Sequence, residues 1–159
     1  MNMNAYKQMA ERIKEIAVFC LKNRGKCFGD DFNGALAFRY VAHHFVVGTV
    51  FVCRDEQDRI QMVVFAWRNN ASEILRKEME SKPQFDWSVP ASSGDSVLIA
   101  QVIGKREFLG TLLRKITAAW PESPGLRLFM YRRRNEAPKL CELDWKTLNR
   151  FAYGHAEHS

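Results

Sequence analysis

The feature that most constrains this chain is an order of elements: hairpin, helix, irregular loop, strand, helix, strand. The segment VVGTVFVCRDEQDRIQMVVFAW holds two β-rich stretches, 46–53 and 60–67, around a charged connection. Arg54, Asp55, Glu56, Asp58 and Arg59 keep that connection in water, so the two stretches pair as an antiparallel hairpin. NNASEILRKEME then reads as a helix, capped by Asn70 or Ser72, with Glu73 and Lys77 one turn apart. The stretch 81–95, with two prolines and four serines, is irregular, either a linker or a functional loop. Residues 96–103 form a buried strand beside the hairpin. LGTLLRKITAAW is a helix stopped by Pro121, PESPG a turn, and LRLFMY a further strand.

The flanks are less regular. Tyr6, Met9, Ile13, Ile16 and Cys20 recur at helical spacing, so 4–22 is an amphipathic helix ended by Asn23, Arg24 and Gly25. A second helix starts near Asp30 and Asp31, with Leu36, Tyr40 and Val41 facing inward. In PKLCELDWKTLNRFAYG, strand and helix compete. The expected fold class is α/β in the α+β sense: a mixed, mostly antiparallel sheet flanked by helices. One domain over 1–152 and a flexible tail over 153–159 accommodate the whole chain.

At 47% hydrophobic and 26% charged, the composition argues against a disordered chain. No apolar run reaches the roughly 18 residues of a membrane span, and the N-terminus has no apolar signal core. Both point to the cytoplasm. Cys20, Cys27, Cys53 and Cys141 have no metal-finger spacing, so reduced thiols and no metal are expected. The net charge of +6 favours an acidic partner, such as phosphate, an acidic protein or nucleic acid, without choosing among them.

Several residues taken in order resemble the toxin-activating (haemolysin-activating) lysine acyltransferases within the GNAT-like superfamily. They are Arg54 and Asp55 at the hairpin turn, Trp67 and Asn69 after its second strand, Glu73 and Ile74, and Asp86 and Trp87. Ser93, Gly94 and Asp95 follow before the central strand, then Gly110, Leu112 and Leu113, and finally Lys139 and Glu142. The match covers about 100 residues from Val47 to Leu148. It implies a GNAT-like sheet and a reaction that moves an acyl group from a thioester donor to an amine. It also implies a donor on coenzyme A or on the phosphopantetheine arm of an acyl carrier protein. The donor's phosphates would sit at the turn made by Gly104, Lys105, Arg106, Gly110 and Thr111, at a helix start. Of the superfamily's glycine-rich turn only Gly104 and Gly110 remain, with Phe108 where a small residue is usual, and Lys105 and Arg106 read equally as a solvated helix-entry pair. Two departures stand out. The strand position where that family has an aspartate falls on Gln101, and the loop that carries its histidine here reads Asn23-Arg24-Gly25-Lys26-Cys27-Phe28.

Other groups divide between chemistry and packing. Cys27, flanked by Arg24 and Lys26, has neighbours that favour a thiolate nucleophile, or it is a plain reduced thiol. Asp95 either positions a substrate amine or caps a turn. His43 and His44 sit at a helix end, one toward the core boundary and one toward solvent. His155 and His158 have a metal pair's spacing on the tail. Arg132, Arg133 and Arg134, beside Phe129 and Tyr131, are either a solvated strand end or a grip for an anion. A nucleic-acid role is the weaker use of that patch. Two readings follow: an acyltransferase-like enzyme with Asp95 and Cys27 as candidate catalytic groups, or a non-catalytic module that binds an anionic partner.

Overall fold

Local side-chain chemistry sets the hairpin turn. Asp55 Oδ1 accepts hydrogen bonds from the Gln57 and Arg59 backbone N–H groups at 2.9 and 3.0 Å, and Oδ2 accepts from Arg59 Nε at 2.9 Å. This Asx-type turn lets Asp58 take a left-handed φ of 62° and returns the chain onto itself. Arg54 beside it makes a paired contact with Glu15 at 2.8 and 3.1 Å, tying the hairpin to the first helix.

The computed structural model describes residues 2–23, 33–80, 93–134 and 137–150. Helices α1 (Met3–Asn23) and α2 (Gly34–Val47) precede strands β1 (Val50–Arg54) and β2 (Ile60–Asn69). Helix α3 (Ala71–Met79), strand β3 (Ser96–Gly104), a 3-10 turn (Arg106–Phe108) and helix α4 (Leu109–Ala119) follow. A second 3-10 turn (Ser123–Gly125), β4 (Arg127–Arg134) and β5 (Ala137–Leu143) come next, with a helical segment over 145–150. The five strands form one sheet in the order β1-β2-β3-β4-β5, antiparallel throughout except between β3 and β4. This is an α+β architecture with a mixed, mostly antiparallel sheet, consistent with a GNAT-like fold.

The sheet is covered on both faces. One face packs α4 and the 145–150 segment onto Met62, Val64, Val97 and Ile99, with Trp145 and Leu148 closing it. The other packs α1, α2 and α3 onto Val63, Phe65, Leu98 and Phe129. Burial on both sides explains why β2 reads as a continuous apolar run rather than an alternation.

Three expectations need correction, and one open alternative is settled. Val46 and Val47 are the last turn of α2, not strand, because Gly48 adopts φ 82° and donates its N–H to the His44 carbonyl at 2.9 Å. A glycine in that left-handed position ends a helix whatever the β-propensity of the residues before it. Leu36 and Tyr6 point outward: α2 buries Ala37, Val41 and His44, and α1 buries Ile13, Ile16, Ala17 and Cys20. Asn33 caps α2 by accepting from the Leu36 N–H at 3.0 Å, while Asp30 and Asp31 lie outside the described residues. The competition at the C-terminal end resolves into both elements, β5 and then a helical segment. Asp144 divides them, its carboxylate accepting from the Lys146 N–H and its carbonyl from the Leu148 N–H.

Candidate functional site

The centre of the sheet is irregular at one place. Across the β2–β3 ladder Phe65 pairs with Gln101 and Ala66 with Ile99, so Ala100 is an extra residue, a β-bulge. A bulge shifts side-chain parity. Before it, Val97 and Ile99 pack with α4 and Leu98 with α1–α3. After it, Val102 packs toward α4 and Ile103 toward α1–α3, the reverse of an uninterrupted strand.

The parallel β3–β4 ladder stops at the same level. Ser96, Val97, Leu98 and Ile99 pair with Arg127, Leu128, Phe129 and Met130, and no further pair follows. Both strands nevertheless continue, β3 along β2 to Gly104 and β4 along β5 to Arg134. Past this level each strand keeps ladder pairing only with its outer neighbour, β3 with β2 and β4 with β5. Ala100, Gln101 and Val102 are half-buried there, whereas the preceding residues 96–99 are buried.

The turn expected to hold the donor's phosphates leads from this strand into α4. Gly104 takes φ 107°, and a Cβ there would lie 2.3 Å from the Gln61 carbonyl oxygen and 2.9 Å from the Phe19 ring. Packing against β2 and α1 therefore demands this glycine, with no ligand needed to explain it. The Lys105 N–H donates to the Gln61 carbonyl at 2.9 Å and continues the strand edge. Lys105 and Arg106 are exposed, Gly110 and Thr111 are half-buried in the first turn of α4, and the Thr111 hydroxyl accepts from Arg114 at 3.3 Å. Phe108, at the cap position, supplies no side-chain cap. The five residues thus come together at one helix start, with two cations able to meet an anion.

Asp95 does something else. Its Oδ1 accepts from the Ala71 N–H at 2.8 Å and from the Ser96 hydroxyl at 2.7 Å, while its own N–H donates to Asn70 Oδ1 at 3.2 Å. It is the cap of α3, delivered from across the chain, since Asn70 makes no side-chain cap of its own. The Ala71 and Ser96 hydrogen bonds, with Arg127 nearby, hold its carboxyl below the ordinary carboxylate range. Of the two roles open to it in the sequence, the geometry places it in the capping one.

Cys27, His155 and His158 lie outside the described residues, as do Asp86 and Trp87. His44 is buried, its Nδ1 2.5 Å from the Thr49 hydroxyl and its ring stacked on Trp67 at 5.4 Å. Burial, and secondarily His43, lowers its pKa to about 3, so it is a neutral core residue. His43 is half-buried beside it. Phe129 is buried and offers no face for base stacking, and Arg127 lies over its ring at 5.2 Å while also pairing with Glu142. Among the described residues no group of three His, Cys, Asp or Glu side chains could hold a metal, and no helix is long and apolar enough to cross a membrane.

Sequence reasoning missed two features of the site. Tyr131 donates its hydroxyl to Glu78 Oε2 at 2.9 Å, joining β4 to α3 just beyond the last β3–β4 pair. Lys77, next to Glu78, is almost wholly buried. The pair has no local sequence signal, because 53 positions separate Tyr131 from Glu78; Lys77 follows the spacing of the buried face of α3, with Ala71 and Ile74. No protein-family model, curated protein or solved structure matches the chain.

Proposed function

We propose that this protein binds an acyl thioester between β3 and β4, past their last pair, and transfers the acyl group to an amine. The observation that carries the reading is the coincidence of the Ala100 bulge with the end of the β3–β4 ladder. A pantetheine arm is a narrow, amide-bearing chain that can pair with strand backbone as a peptide would. The thioester carbonyl would lie against the backbone of 100–102, where N–H groups aimed at the developing oxyanion lower the barrier. The donor's phosphates would meet Lys105 and Arg106 at the start of α4. Coenzyme A and an acyl carrier protein present the same arm, and a net charge of +6 suits either.

Calorimetry with octanoyl-coenzyme A and with an octanoylated acyl carrier protein tests this. Replacing Lys105 and Arg106 together by Glu should weaken donor binding by roughly a hundredfold or more through charge reversal at the phosphate contacts. Both residues are exposed, so the melting temperature should barely move. Unaltered affinity would remove the donor from this turn.

A second reading has its own support. Gln101 is neutral where the resembling family has a carboxylate, and Asp95 is committed to capping α3. On that basis the chain would be a GNAT-like module gripping an anionic partner, an acidic protein, without chemistry. Donor binding that is absent while an acidic carrier protein still binds would favour it. With Phe129 buried, nucleic acid is the poorer candidate partner.

A further inference from the structure

Past the last β3–β4 pair, the two parting strands present Gln101 and Tyr131 on the same face of the sheet. Gln101 stands opposite Phe65, and Tyr131 is two residues beyond Phe129 on one strand; Phe65, Phe129 and Tyr131 all pack toward α1–α3. The donor's proposed phosphate contacts lie at the start of α4, whose packing is on the opposite face. An acceptor that keeps clear of the donor's phosphates meets the polar groups of the other face, Gln101 and Tyr131. The carboxylate joined to these groups is Glu78, in the last turn of α3, held by the Tyr131 hydroxyl at 2.9 Å. Helix α3 is capped at its other end by Asp95, the residue before β3, so its two ends are tied to the two strands that part.

We infer that Glu78 and Tyr131 bind the acceptor, a primary alkylamine such as a lysine side chain, and take its proton. The inference rests on the acyl-transfer reading. The arriving ammonium is attracted by the Glu78 carboxylate and hydrogen-bonds to the Tyr131 oxygen. One N–H proton passes to that oxygen as the hydroxyl proton passes to Glu78, which releases it to solvent. The freed amine lone pair attacks the thioester carbonyl, the C–N bond forms and the C–S bond breaks. The leaving sulfur takes a second proton from nitrogen, so ammonium and thioester give amide, thiol and one proton. Gln101 cannot take a proton and serves here as a hydrogen-bonding neighbour. Glu78 is exposed, which suits a group that must exchange its proton with water.

The test uses the whole protein, octanoyl-coenzyme A or the octanoylated carrier as donor, and Nα-acetyl-lysine methylamide as acceptor. Released thiol reports transfer, and calorimetry reports donor binding. Tyr131→Phe keeps the ring and Glu78→Gln keeps the shape, so both should fold and bind donor as the wild type does. Each should lower kcat/KM for the amine by roughly a hundredfold, and Glu78→Gln should also raise the amine KM. Glu78→Asp should restore part of the rate, which a merely structural role would not produce. Wild-type rates in both variants, with donor bound, would overturn this inference and leave the acyl-transfer reading standing. A wild type that binds donor but releases no thiol to the amine would overturn the inference and the transfer reading, leaving donor binding. A wild type that binds no donor would overturn all three.

Discussion

Between pH 7 and pH 4 the protein is expected to lose about 3 kcal/mol of stability through His44 alone, from a shift of about 3.5 pH units at about 1.4 kcal/mol each, cut short at pH 4. The folded-state pKa is depressed, from an ordinary 6.5 to about 3, because the ring is buried among Tyr40, Phe65 and Trp67 and lies beside His43. Below about pH 6.5 the unfolded chain takes up a proton that the folded chain refuses until about pH 3. Stability is therefore fully present above that window and falls as pH decreases through it. Glu15 and Glu142, held low by Arg54 and Arg127, give up their contributions further down, so the upper part of the acid transition belongs to the histidine. Urea unfolding at a series of pH values checks this against His44→Gln, which should flatten the slope from 6.5 to 4. An equal slope in both proteins would show that His44 is not the group responsible.

Phe65→Ala should lower the unfolding free energy by about 3–5 kcal/mol, the cost of deleting a fully buried aromatic ring from a core that cannot collapse around it. Phe65 is among the largest fully buried side chains, in the second of the five strands, between Val50 and Gln101. It makes edge contacts with Tyr40 at 4.7 Å and His44 at 5.1 Å, which add to the loss. Chemical denaturation measures it, with Phe65→Leu as a milder companion. A loss under about 1 kcal/mol would mean that α2 does not pack on β2 as described.

The elements legible in the sequence were those encoded by neighbours. The hairpin, α3, α4 and β4 follow from short-range patterning, and Asp55 closes its turn through residues within six positions. The boundary of α2 was hidden because two valines precede a glycine whose handedness, not their propensity, decides the end. At the C-terminal end the signal was present in Asp144 followed by Trp145 and Leu148, a capped helical turn after a strand, but two periods overlapped. The site was less legible. A bulge at Ala100 leaves no mark in composition, the β3–β4 register depends on distant pairing, and the Asp95 cap is built from residues 24 positions away. The basic turn at Lys105 and Arg106 was visible, whereas the Tyr131–Glu78 pair needed the fold to bring it together.

Hydrogen exchange across β3 and β4 with and without octanoyl-coenzyme A or the octanoylated carrier tests the central claim, that the end of the β3–β4 ladder is the donor site. Slowed exchange is expected at 100–104, at the facing residues of β4 beyond Met130 and in the first turn of α4, with the β1–β2 hairpin unchanged. Exchange at 100–104 that is indifferent to saturating donor, or protection that falls only on other segments, would contradict it.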